Sequence, residues 1–493
     1  MTAIRTPIPA WLEALLLALC AAVCSIQLLL PGYIGIANNG DFGKVFARFS
    51  CAPPDGAASN FRFFVADYDF APRYYWKSDF VTSEIPLAGI PLLAARAAGA
   101  RSFNIRWLGA LDAVLFLAAY YALLMYLRRW GRAAQAAIGL LALWIFGDVV
   151  YVAYFNSFFS DTPGILGLLL MVALGLRLSA QDPPRRITLC LFALSALLFV
   201  CSKTQHGLWG FFPALFALGL TWRFSSRRIW GALICVVLLA AEAGMFMVTP
   251  AGYGNEALFN LIFFKLAPGS RDPHATVRAL GLGPADYRWI GTHAFMAGSP
   301  VANPAWLADF GRRTGYPMVL RYYARHPRTA LRVLAFDLRQ NTPYMRPENL
   351  SNFRKEQGHP PGALTDRFAS WSNLRARLFR RWPWHIVVWY LVWIGTAVVL
   401  LWNGRTRRAS VLVGLAVAAM GIGEFLTASL ADACETYRHL LLFHLLTDVT
   451  VCLAIGWILT RFPFFRRGII QIWKSPGWGT APSSSGCPPA KLS

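Results

Sequence analysis

Residues 11–30 read WLEALLLALCAAVCSIQLLL, an apolar run that fixes the class of the fold. At about 1.5 Å per residue, twenty helical residues span the hydrocarbon core of a bilayer, which is roughly 30 Å thick. Arg5 precedes the run, apolar character continues to about Ile36, and no small-residue cleavage site follows. The segment therefore reads as a retained first span, not a cleaved leader. Directly after it, ANNGDF at 37–42 holds Asp41 near the membrane surface and within reach of water.

The same apolar character recurs at Ile105 to Leu127, Ala134 to Phe155, Thr162 to Leu178, Ile187 to Val200, Leu208 to Trp222, Ile229 to Val248, Trp384 to Trp402, Ser410 to Leu430 and Arg438 to Leu459. The expectation is an all-α polytopic membrane protein of about ten transmembrane helices. Composition agrees: of 493 residues 56% are hydrophobic and only 14% charged, and the mean hydropathy is +0.44.

A formal net charge of +23 would suit nucleic acid, but its distribution excludes that partner. Basic residues gather beside span ends: Arg128, Arg129 and Arg132; Arg185 and Arg186; Arg223, Arg227 and Arg228; Arg405, Arg407 and Arg408; Arg461, Arg466 and Arg467. With both termini cytoplasmic, every one of these clusters falls inside, as the positive-inside rule requires of a bacterial inner membrane protein. Membrane lipids are then obligate partners.

This topology divides the chain into four parts. Residues 1–250 form an N-terminal module of about seven spans with a first outer loop at 31–104, in which Ile85 to Ala98 reads as an interfacial or re-entrant helix. Residues 251–383 form a long extracytoplasmic loop of amphipathic helices, one of them predicted over Tyr316 to Leu338. Residues 384–460 carry three spans. Residues 461–493 form a cytoplasmic tail, rich in Pro, Gly and Ser from Pro476 on and expected to be partly disordered. Cys51 and Cys434 share the outer side, which admits a disulfide between them. No metal-ligand spacing, phosphate loop, dinucleotide fingerprint or internal repeat is present.

Acidic residues in or beside spans are Asp112, Asp148, Asp161, Glu242, Glu424 and Asp448. Such groups are costly in hydrocarbon and normally face a cavity. Asp41 suits a general base that takes a proton from an acceptor hydroxyl, or else caps the following helix. Asp161 follows Asn156-Ser157-Phe158-Phe159-Ser160 in the turn between two spans, where a cap is again the alternative. In Ser202-Lys203-Thr204-Gln205-His206, Lys203 can stabilise a phosphate leaving group or reach for lipid headgroups. Arg438, beside Glu435, Tyr437 and His439, offers bidentate geometry to a phosphate. His444 and Asp448 share a helix face, as a structural pair or a proton relay. Arg321, Arg325, His326, Arg328 and Arg332 in the second loop face headgroups or a carrier phosphate.

Asn39-Gly40-Asp41-Phe42, Tyr154 through Asp161, Ser202 through His206, Asn260 through Leu282 and Tyr437-Arg438-His439 together resemble the polytopic GT-C class of glycosyltransferases, more narrowly its bacterial glycan-biosynthesis hexose transferases. The resemblance covers most of the chain. It implies an extracytoplasmic active site, a polyprenyl-phosphate sugar donor, a glycan or lipid acceptor, and inverting hexosyl transfer with Asp41 as catalytic base. It also implies Asp161 as a second acid for metal or acceptor. The expected substrate-binding set is Asn39, Glu84, Asp161, Lys203, His206, Arg438 and His439, with Trp76 and Trp209 against sugar or lipid. Gly40 and Phe42 flank Asp41 where metal-dependent oligosaccharyltransferases carry paired acids, so a divalent metal is disfavoured and no metal ligand is assigned. The rival functions are a flippase or exporter of lipid-linked glycan and a non-catalytic scaffold. An exporter would be expected to show internal repeats and broken helices.

Overall fold

The computed structural model describes residues 10–54, 61–70, 79–402 and 408–460. Seven helices in it are long and apolar enough to cross a membrane: Trp11–Leu28, Arg106–Trp130, Asp161–Ser179, Ser225–Val248, His385–Trp402, Arg408–Leu430 and Thr436–Leu459. Two shorter apolar helices, Arg186–Val200 and Phe211–Trp222, stand where two more spans are expected. Asp161–Ser179 is buried along most of its length and forms the centre of the bundle, whereas Ser225–Val248 and His385–Trp402 lie at its edge. This is the all-α polytopic fold that the apolar runs predict.

The run Ala134 to Phe155 is not one straight span. Helix Arg132–Phe146 ends at Gly147, Asp148 turns extended, and the chain resumes as Val149–Asn156 at 54° to the first part. The break has a cause in Asp148. One carboxylate oxygen accepts from the Val150 amide at 3.0 Å, capping the second half. The other accepts from the amides of Trp371 and Ser372, at 2.9 and 3.0 Å, capping the outer-loop helix Ser370–Arg381. An acid that reads as intramembrane thus serves two helix starts whose amide groups need an acceptor. Asp448 pins the same helix. It accepts from Tyr151 Oη at 2.7 Å and Trp371 Nε1 at 2.6 Å, and pairs with Arg375 at 3.3 Å. His444 is therefore not its partner. That ring packs on Phe379, and neither of its nitrogens has a hydrogen-bond partner among the described residues.

The long loop after the first span contains, besides the expected helix, now Glu84–Ala97, an antiparallel sheet of Cys51–Ala52, Asp67–Phe70 and Ser102–Asn104. Alternation in Asp67-Tyr68-Asp69 turns Tyr68 inward, where it pairs in register with Phe103 and packs on Phe158. The loop is thereby fastened to the turn that carries Asp161. The stretch Tyr316 to Leu338 forms two helices, Tyr316–Arg325 and Pro327–Gln340. Pro327 has no amide hydrogen to continue the first ladder. Phe259, Phe263 and Phe310 give this loop a core of its own. Cys51 and Cys434 are both free, and Cys51 is buried in the sheet pairing with Phe70, so the disulfide is not formed. Trp76, Arg5, Arg405, Arg407 and the tail from 461 lie outside the described residues.

Candidate active site

Asn38 Oδ1 accepts from the amides of Gly40 and Phe42, at 2.8 and 3.1 Å, and Asn39 Oδ1 accepts from the Asp41 amide at 3.1 Å. Gly40 takes φ +108°, which a side chain would resist. Two asparagines therefore do the local turn-making that Asp41 might have done, and the Asp41 carboxylate is left for other partners. Its Oδ1 meets Lys44 Nζ at 2.6 Å and its Oδ2 meets Arg438 Nη2 at 3.1 Å.

Arg438 joins the remaining acids. Its Nη1 stands 3.6 Å from Asp161 Oδ2 and its Nε 2.9 Å from Glu435 Oε2, over the face of Phe159. Asp161 begins its helix without capping it and contacts Lys203 Nζ at 2.5 Å. Asn39 donates to Glu435 Oε2 at 2.8 Å. Four segments distant in sequence thus bring Asp41, Asp161, Lys203 and Arg438 together. Asp41, Lys203 and Arg438 border a cavity of about 150 Å³ lined also by Lys44, Tyr253 and His439, and Asp161 stands behind it, paired with Lys203 and Arg438. His439 Nε2 lies 3.3 Å from Asp432.

Burial alone would raise the Asp41 pKa, but the charges of Arg438, Lys44 and Lys203 overcome it and hold the carboxyl well below the usual range. Burial pulls Lys203 down despite the opposing pull of Asp161. His206 is pushed to about 3 by burial and then by Lys203. Its Nδ1 is 2.6 Å from Ser202 Oγ and its ring stacks on Phe199. His206 is thus a neutral ring behind Lys203, not on the cavity wall.

Glu84 stands apart from this group. It is fully buried against Asp112, with neither carboxylate oxygen partnered among the described residues, and burial followed by the Asp112 charge raises its pKa. The reason is local. Thr82 Oγ1 and Ser83 Oγ donate to the carbonyls of Ser202 and Leu198, both at 2.7 Å, and turn the helix start into the bundle. Lys44, Asp432 and Tyr253 line the cavity and are not singled out by the sequence. Lys44 alone carried a signal, three residues beyond Asp41 on one helical turn.

A second, apolar groove of about 710 Å³ runs along helix Arg408–Leu430, with Phe192, Phe212, Phe216 and Met420 in its walls. Glu424 lies between groove and cavity and accepts from Gln205 and from Trp209 Nε1, the latter at 2.7 Å. Trp209 thus borders this groove through Gly423, and Gln205 borders the polar cavity. No cluster of three metal-ligating side chains occurs among the described residues.

Among solved structures, the chain is similar to the archaeal oligosaccharyltransferase AglB from Archaeoglobus fulgidus in complex with an inhibitory peptide and a dolichol-phosphate. That match has 12% identity and a TM-score of 0.39, covering 91% of this chain and 51% of that one. The Archaeoglobus fulgidus oligosaccharyltransferase tethered to an acceptor peptide matches with 10% identity and a TM-score of 0.38, covering 91% and 50%. The chain spans about half the length of these proteins. No curated protein sequence matches it. The agreement that carries weight runs along the sequence itself: residues 3–474, through every span and both long loops, match the YfdI N-terminal transmembrane domain, and the chain belongs to that GT-C-like family.

Proposed function

We propose that this protein is an inverting membrane glycosyltransferase. It moves a hexose from a polyprenyl-phosphate carrier to a hydroxyl of a cell-envelope glycan or lipid, at the extracytoplasmic face of a bacterial inner membrane with both termini inside. The acceptor oxygen attacks the anomeric carbon, the bond from that carbon to the phosphate oxygen breaks, and Asp41 takes the acceptor proton. Arg438 and Lys203 stabilise the negative charge that grows on the departing phosphate. Asp161 holds both cations in place until the donor arrives, and Asn39, through Glu435, sets the position of Arg438. The polyprenyl chain lies in the apolar groove beside Trp209.

The observation that carries this reading is the convergence of Asp41, Lys203 and Arg438 on one cavity from three separate segments, with Asp161 from a fourth paired to both cations. A carboxylate and two cations within a few ångströms are the groups that this transfer needs. The test is Asp41→Asn in cells whose envelope glycans are compared by mass spectrometry with and without the protein. The transferase reading predicts loss of one glycoside in the variant as in the deletion, with the variant still present in the membrane. A glycan profile identical to wild type in the Asn variant would remove Asp41 as the base.

A further inference from the structure

Where helix Arg408–Leu430 ends, the chain turns through Ser429, Leu430, Ala431 and Asp432, and side chains of the loop 251–383 donate to the carbonyls of all four. Lys265 Nζ reaches Ser429 at 2.8 Å and Asp432 at 3.1 Å, Tyr323 Oη reaches Leu430 at 3.3 Å, and Tyr316 Oη reaches Ala431 at 3.1 Å. The last carbonyls of a helix have no partner within it, and water alone can satisfy them. Donors brought from a distant part of the chain do more, because they also fix the path of the turn. Lys265 is itself anchored on Asp337 at 2.7 Å. The residue at the end of this clamp is Asp432, which lines the polar cavity together with Tyr316 and His439.

Asp432 differs from the other acids of the site. Asp41, Asp161 and Glu435 all pair with Arg438, whereas the Asp432 carboxylate meets no Lys or Arg among the described residues. Its Oδ1 accepts from the Ala433 amide at 2.6 Å and its Oδ2 lies 3.3 Å from His439 Nε2. An ionised carboxylate has about four lone-pair positions, so Asp432 keeps acceptor capacity that no protein group uses. A fixed carboxylate with spare acceptors repels a phosphate and attracts hydroxyl donors. Lys203 and Arg438 are the groups for the phosphate, which leaves the sugar for Asp432. Resting on the transferase reading above, we infer that Asp432, its carboxylate steadied by His439, is the residue that selects the transferred hexose, by accepting from two neighbouring ring hydroxyls.

The experiment titrates the full chain, purified in detergent, with polyprenyl phosphate and with its glucose, galactose and mannose derivatives, and follows binding by native mass spectrometry. Any neighbouring pair among the C2, C3 and C4 hydroxyls includes either the one that mannose inverts or the one that galactose inverts. Wild type should therefore separate at least two of the three hexoses by about tenfold, the worth of one hydrogen bond to a charged group. Asp432→Ala should bind all three alike while holding the sugar-free carrier as wild type does, and His439→Gln should narrow the separation. Thermal melts and binding of the sugar-free carrier identify the folded variants, and if Asp432→Ala does not fold, His439→Gln decides by the same comparison. An undiminished separation in the folded variant, or equal binding of the three hexoses by wild type, would overturn the assignment and leave the transferase reading standing. Wild type that binds neither the sugar-free nor the sugar-bearing carriers would overturn both.

Discussion

Replacing Arg438 with Gln removes a guanidinium that three carboxylates share, at 3.1 Å from Asp41, 2.9 Å from Glu435 and 3.6 Å from Asp161. With an effective dielectric constant of about 20, a charge pair at 3.1 Å is worth about 5 kcal/mol. Asp41 is 30% exposed, so water reduces that figure, and removing one partner of a largely buried pair costs about 3 kcal/mol. A second effect follows in pH. Arg438 is the strongest of the charges that depress Asp41. Without it only Lys44 and Lys203 oppose burial, and the carboxyl rises toward its ordinary value. A carboxyl depressed in the folded state stabilises above its unfolded pKa, and that stability is lost as pH falls through the folded pKa. Wild type should therefore keep the Asp41 contribution from pH 7 down to about 4 and lose it progressively below, whereas the variant, with its folded pKa nearer the unfolded one, should lack most of it already at pH 7 and show a shallower acid limb. The assay is thermal unfolding of the purified protein across about pH 2 to 8. Arg438→Lys should recover part of the loss, since a point charge cannot serve three directions at once. A Gln variant as stable as wild type at pH 7, with an unshifted acid limb, would refute the electrostatic account of the site.

Asp41→Asn should lower thermal stability, since it removes the counter-charge of Arg438 and Lys44, and reduce product formation about 10²- to 10⁴-fold, the usual contribution of a general base; extraction of labelled envelope glycans measures the latter. Asp448→Asn leaves Arg375 without its counter-charge and weakens the hold on Trp371, so stability should fall by about 3 kcal/mol, read by thermal unfolding. Lys265→Met removes contacts to Asp337 at 2.7 Å and to the carbonyls of Ser429 and Asp432 at 2.8 and 3.1 Å. Limited proteolysis of the second outer loop should then accelerate before the spans melt. Gly109→Ala puts a Cβ 2.0 Å from Asn156 Oδ1, while Asn156 donates to the carbonyls of Leu28 and Ile34. The crowding should cost about 1–3 kcal/mol, again seen as a lower melting temperature.

Apolar runs and basic clusters made the spans legible, because hydrocarbon admits only long apolar helices and tolerates few charges. What sequence could not show was how each intramembrane acid is used. Asp148 reads like a cavity acid, yet its oxygens cap two helix starts that meet only after folding. Glu84 reads like a surface ligand because it lies in a long loop between spans, and only the inward bonds of Thr82 and Ser83 reveal that its helix start is buried. For Asp41 the ambiguity between cap and base lay within one pentapeptide. No side chain caps the helix that follows, Asn38 and Asn39 accept from the amides of Gly40, Asp41 and Phe42, and both Asp41 oxygens go to cations instead. The expected pair of His444 and Asp448 failed for the opposite reason: helical spacing brought them to one face, but Trp371 and Arg375 arrive from a distant loop and occupy the carboxylate.

Each cation of the site is paired: Lys44 with Asp41, Lys203 with Asp161, and Arg438 with Asp41, Asp161 and Glu435. Cations left unpaired at the edge of hydrocarbon would be costly, so the carboxylates serve as occupants of the positions that a phosphate would take. Under the proposed reaction, an arriving donor phosphate competes for Arg438 and Lys203 with its own negative charge. As those cations turn toward it, the field that depresses Asp41 weakens and the carboxylate becomes a stronger base. The empty site therefore holds a poor base and the loaded site a better one, which ties proton removal to the presence of a donor. The same reasoning assigns Lys44 a distinct part: lying beside Asp41 and over the rings of Phe80 and Tyr253 at 4.9 and 5.1 Å, it stays with the carboxylate when the other two cations leave and keeps it ionised at neutral pH.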